Sequence, residues 1–172
     1  DPGDGDPGDG DPGDGDPGDG DPGDGDPGDL DPVIALEGCT PGYWRNHHAA
    51  WAPTGFSPSQ TVGSVFTGAN AENSAATLGK ALTFGGGPGI HGAQLILLRA
   101  AVASLLNAGH PDVNFDLTVE EVIAMVDAAL QSNDRKVMLD LAEELDALNN
   151  AGCGLTGGPA NNRGRGNRGG GR

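Results

Sequence analysis

IHGAQLILLRAAVASLL, residues 90–106, is the longest apolar run in the chain. Its polar members are few, so a helix built from it would be apolar on nearly every side. Such a helix belongs at the centre of a bundle. Because Gln94 and Arg99 lie within it, the run falls short of the roughly 20 apolar residues that a membrane span needs. The spacing predicts a buried helix over residues 90–107, with the remaining segments packed around it.

Downstream, Thr118 is followed three residues later by Glu121. That is a capping box, and it predicts a helix that buries Val122, Ile123, Val126 and Leu130. A further helix over residues 134–150 carries a stripe of Val137, Leu141, Leu145 and Leu148, with Gly152 as its stop. Upstream, Thr40 reads as an N-cap with Pro41 at the first helical position of TPGYWRNHHAAW, which sets Trp44 and Trp51 seven residues apart on one face. Ser57-Pro58 repeats the start signal before a short helix through Val62 and Phe66, and another helix over residues 71–82 stops at the glycine cluster FGGGPG. No convincing strand accompanies these. The expected fold class is all-α: a compact bundle of about six helices.

The two cysteines bracket this domain, Cys39 before the first helix and Cys153 after the last. An even count and that placement predict a disulfide, the alternative being two separate buried thiols. A bridge implies an oxidising, extracytoplasmic compartment, so the expected localisation is secreted, extracellular or cell-surface. It also sends both flanking segments out from one pole.

Those flanks have opposite charge. Residues 1–32 carry thirteen Asp and no basic residue, residues 33–155 carry twelve acidic and five basic groups, and residues 156–172 carry four Arg, for −13, −7 and +4 and a total of −16. Three segments are therefore expected: an acidic arm, a helical domain of common single-domain size, roughly 120 residues, and a flexible Gly/Arg-rich tail. The charge argues against nucleic acid as a partner, since a phosphate backbone needs a basic footprint. Cations and basic surfaces are the natural partners. The chain begins at Asp1 rather than Met, as a processed end or a fragment boundary would.

The arm is six consecutive pentapeptides, five DPGDG and one DPGDL. Asp-Pro-Gly-Asp suits a type II turn, in which Pro fixes φ at the second position and Gly supplies positive φ at the third. The turn brings its first and fourth residues within about 7 Å, and both are aspartates. Asp1, Asp4, Asp6, Asp9, Asp11, Asp14, Asp16, Asp19, Asp21, Asp24, Asp26 and Asp29 are thus candidate metal ligands. Ca²⁺ takes about six to eight oxygens of this kind. One arm has too few to enclose a row of ions, whereas several side by side have many. The pattern matches neither an EF-hand loop nor the Gly-Gly-Xaa-Gly-Xaa-Asp calcium repeat. It resembles the Val-Pro-Gly-Xaa-Gly repeat of elastin with its apolar guests replaced by Asp.

Further assembly contacts are expected at the arm's two neighbours. Val33, Ile34 and Leu36 belong to an apolar segment too short for a helix, which either docks on its own domain or pairs as a strand with another chain. Arg163, Arg165, Arg168 and Arg172 in the tail could neutralise part of an arm, although four cations leave most of thirteen carboxylates unmatched.

The stretch GCTPGYWRNHHAAW, residues 38–51, resembles the C-T-P-G-[YF]-W-[KR]-N-H signature of a module in secreted and cell-surface proteins of bacteria and archaea. LTVEEVIAMVDAAL and the closing LNNAGC are similar to that module's ending, so the resemblance runs from residue 38 to residue 153. It implies a surface-associated setting and carries over no catalytic residue.

Within the helical domain a catalytic or metal constellation is not expected. His47 and His48 are adjacent and point apart on a helix, while His91 and His110 lie near opposite ends of the central helix. The loop Gly85-Gly86-Gly87-Pro88-Gly89 follows a helix and lacks Lys-Ser or Lys-Thr behind it, so it reads as a connection and not a phosphate cradle. The tryptophans read as core anchors, with a sugar-binding platform as the alternative. The function that follows is a non-enzymatic structural subunit of an extracellular filament or matrix fibre, a homopolymer assembled through Asp-rich arms bridged by calcium. The alternative is a cell-surface or glycan-binding module carried on an acidic stalk.

Overall fold

A computed structural model of the chain describes residues 34–155. The twelve candidate ligand aspartates, Val33 and the four tail arginines lie outside the described residues. Within them the fold is a helical bundle: α1 (Pro41–Asn46), α2 (Ala71–Ala75), α3 (Leu78–Ala81), α4 (Gly89–Gly109), α5 (Val119–Ser132) and α6 (Arg135–Asn149), with 3₁₀ segments at His48–Thr54 and Val62–Ser64.

The apolar run forms α4, 21 residues long, at the centre as expected. By length and composition alone this helix could cross a membrane. Instead it buries residues on all sides, from Ala93, Leu97 and Leu98 to Leu105 and Leu106, and packs chiefly against α6 and α5, with α1, α3 and the first 3₁₀ segment on its remaining flank. Burying side chains of that size stabilises by about 1.5–3 kcal/mol each, which is why everything else is organised around it.

Helices α5 and α6 start where their caps place them. The Thr118 hydroxyl accepts from the Glu121 amide and the Glu121 carboxylate accepts from the Thr118 amide. Asn133 then turns the chain in a left-handed conformation (φ 51°), and Asp134 accepts from the amides of Lys136 and Val137. The buried face of α6 differs from the expected stripe. Val137 is 44% exposed, and the core side consists of Met138, Leu141, Ala142, Leu145 and Asn149. Both sets share Leu141 and Leu145, so period alone cannot separate them. The partners of Asn149 on α4, the Ala100 carbonyl and Ser104, select the second.

The upstream third departs further from simple helices. α1 is capped by Thr40 as expected, but it ends at Asn46. The Trp51 indole donates to the Trp44 carbonyl at 3.0 Å, taking the acceptor that His48 would need to continue the helix. Ser57 makes a turn rather than a helix start: its oxygens accept from Ser59 and Gln60. The predicted helix over 71–82 is two helices. The Ala76 carbonyl accepts from Val62, the Leu78 amide donates to Gln60, and Thr77 caps a new helix, so residues 76–78 pair across to 60–62 instead of along an axis.

Cys39 and Cys153 form the disulfide, with Cα atoms 4.4 Å apart. Next to it Gly38 donates to the Gly152 carbonyl in an antiparallel bridge. A Cβ at Gly38 would lie 2.1 Å from the Leu148 carbonyl oxygen, so only glycine allows α6 to approach this closely.

Candidate functional site

The pole that carries the disulfide also carries most of the polar order in the core. Asn107, at the end of α4, is fully buried and makes four hydrogen bonds. Its Oδ1 accepts from the Cys39 amide (2.8 Å) and the Trp44 indole (3.1 Å), and its Nδ2 donates to the Cys39 carbonyl (2.9 Å) and Asn149 Oδ1 (2.8 Å). Asn149 also accepts from Ser104 and donates to the Ala100 carbonyl. A primary amide offers two donors and two acceptor sites, and Asn107 uses them all. This network is structural: it ties the disulfide, α1, α4 and α6 together.

Both tryptophans are spent in the same way. Trp44 and Trp51 are 0% and 1% exposed, and each indole N–H is bonded internally. They are core anchors, and neither offers a face to a sugar. Arg135 donates to the carbonyls of Gly87 and Gly89, which ties the glycine loop to α6 and leaves it a connection between α3 and α4.

The segment before Cys39 docks on its own domain. Glu37 donates its amide to the Asn114 carbonyl at 2.9 Å, and the Asn114 side chain donates to the Ala35 carbonyl at 3.1 Å. Ile34 and Leu36 are 73% and 45% exposed, and the Leu36 backbone groups have no partner among the described residues. Docking and an open apolar edge therefore coexist.

Three of the four histidines come together, which spacing alone did not anticipate. His47, His48 and His110 line one open cleft of ≈ 510 Å³ with Tyr43, Asn46, Asp112 and Leu155. The His47 ring stacks on Tyr43 at 4.2 Å between centroids, and His110 lies 6.1 Å from the Trp44 ring. The missing signal is the turn after α4, which folds His110 and Asp112 back towards α1. His91 is exposed at the other end of α4. Among the described residues no group of three His, Cys, Asp or Glu side chains is placed to hold a metal ion.

Hydrogen bonds from the Thr118 amide and hydroxyl hold the Glu121 carboxyl below its ordinary value, and the Asp140 carboxylate raises Lys136 on α6. No protein-family model, curated protein or solved structure matches this chain.

Proposed function

We propose that this protein is a structural subunit of an extracellular filament or matrix fibre, a homopolymer whose Asp-rich arms are bridged by calcium. The observation that carries the reading is the repeat itself: six pentapeptides with an aspartate at each end of every Asp-Pro-Gly-Asp sequence, a sequence suited to a turn, and no basic residue among them. Side by side, such arms repel until a divalent cation supplies the missing charge, so calcium would act as the assembly switch. The disulfide points to an oxidising setting, which agrees with an extracellular polymer. The open edge at Ile34 and Leu36 lies where the arm joins the domain and gives neighbouring subunits a second contact. The resemblance of residues 38–153 to a cell-surface module belongs to the same reading.

The test is light scattering and electron microscopy of the purified chain while Ca²⁺ is added and then chelated. Filaments that form and dissolve with calcium are the expected result. A monomer at every calcium concentration, or filaments indifferent to strong chelation, would sink the proposal.

A further inference from the structure

The cleft beside His110 has a hydrogen-bonding pattern of its own, set by backbone groups. The Nδ1 of His110 lies 3.2 Å from the Asp112 amide, which can only donate, so Nδ1 accepts and the ring proton sits on Nε2. His47 is the reverse. Its Nδ1 lies 2.8 Å from the Tyr43 carbonyl, which can only accept, so Nδ1 carries the proton and Nε2 is an acceptor. Two neighbouring histidines are thereby held in opposite tautomers on one cleft.

His110 is 6% exposed, and its Nε2 has no partner among the described residues. No side-chain nitrogen or oxygen sealed from solvent lacks a partner among those residues, so this Nε2–H reaches solvent, and His110 is one of the residues that line the cleft. A nearly buried donor left unmatched is costly, and it is met by water or by a ligand oxygen. Asp112, whose carboxylate can only accept, and the exposed His47 ring, one face of which is covered by Tyr43, line the same cleft.

These groups select among ligand classes. Asp112 repels an anion. A flat apolar ligand would leave the His110 donor unpaired. Hydroxyls both donate and accept, so a ring bearing several of them satisfies a fixed donor and two acceptors at once, while its C–H face lies against an aromatic ring. The volume of ≈ 510 Å³ lies within the range of about 300–1,000 Å³ usual for small-molecule sites. We propose that this cleft binds a saccharide ring, with His110 Nε2–H donating to one hydroxyl and His47 Nε2 and the Asp112 carboxylate accepting from others. The site uses no residue of the arm and does not depend on filament formation.

The test is imidazole ¹⁵N NMR of the full chain titrated with maltotriose, cellotriose and chitotriose. Saturable shifts of His110 and His47 Nε2 with at least one of them, at a Kd of about 1 mM or tighter, are expected. His110→Phe should weaken binding at least about tenfold, and His110→Gln, which keeps an N–H donor, should weaken it less. His110 is nearly buried, so Ala49→Trp, which fills the exposed cleft and leaves His110 intact, provides the control for misfolding. Histidine signals unmoved by all three sugars, or binding unchanged in Ala49→Trp, would overturn the proposal.

Discussion

Residues 89–109, 119–132 and 135–149 satisfy most of their backbone inside three long helices, whereas residues 38–84 satisfy theirs by pairing across short segments. In those helices, beyond the capped first turns, amides find a carbonyl one turn away, and packing of apolar faces does the rest. In residues 38–84 the longest helical segment spans seven residues. Order there comes from Val62 to Ala76, Leu78 to Gln60 and Gly79 to Pro58, and from side-chain caps at Thr40, Asn70 and Thr77. Short helices are marginal alone, so the upstream region depends on its connections to the helical block more than the block depends on them.

Breaking those connections should therefore affect the two regions unequally. The largest effect is expected from Cys39→Ser with Cys153→Ser, which opens a crosslink spanning 114 residues. The chain-entropy account puts such a loop at about 4–5 kcal/mol. Hydrogen exchange should rise more in residues 38–84 than in residues 119–149, and an equal rise in both would refute the division. Next comes Asn107→Leu, which leaves the Cys39 amide and the Trp44 indole buried without acceptors. Each orphaned donor costs about 1–3 kcal/mol, so urea unfolding followed by tryptophan fluorescence should show a loss of about 3 kcal/mol. A loss below about 1 kcal/mol would mean the two regions are not joined there.

The smallest effect belongs to the helical block's own cap. Thr118→Ala should cost about 1 kcal/mol without loosening residues 38–84. Glu121 adds a pH signature. Its carboxyl is held below the ordinary 4.5, so its contribution is present above that pH and is lost as pH falls through the lowered value. The stability difference between the wild-type chain and Glu121→Gln should shrink on acidification. A difference that persists at acid pH would remove the carboxylate from the cap.

The same contrast governs how far the sequence could be read. α4, α5 and the caps at Thr40 and Thr118 depend on neighbours within one turn, and period and capping rules describe such neighbours directly. The pairing of Cys39 with Cys153 was also legible, because the cysteines bracket the periodic region. Ala76 and Thr77 were not: nothing local announces that residues 60–62 will take the hydrogen bonds of a helix between residues 71 and 82. The buried side of α6 was half legible, since Leu141 and Leu145 serve either stripe and Asn149 is polar. Asn107 stands in the sequence only as the last residue of the expected central helix. Its four partners come from residues 39, 44 and 149. The histidine cleft was hidden for the same reason, because His110 meets His47 only through the turn after α4.

The 4.4 Å between the Cα atoms of Cys39 and Cys153 also has a mechanical meaning. Tension applied along the chain enters at one cysteine and leaves at the other through a covalent bond, without crossing a single helix. The 114-residue separation between them represents about 380–410 Å of contour length that pulling cannot release while the bond is intact. A filament built from such units would stretch only in the segments outside the two cysteines, and the helices between them would keep their packing under load. Reduction would convert the same chain from a stiff bead into a long extensible tether.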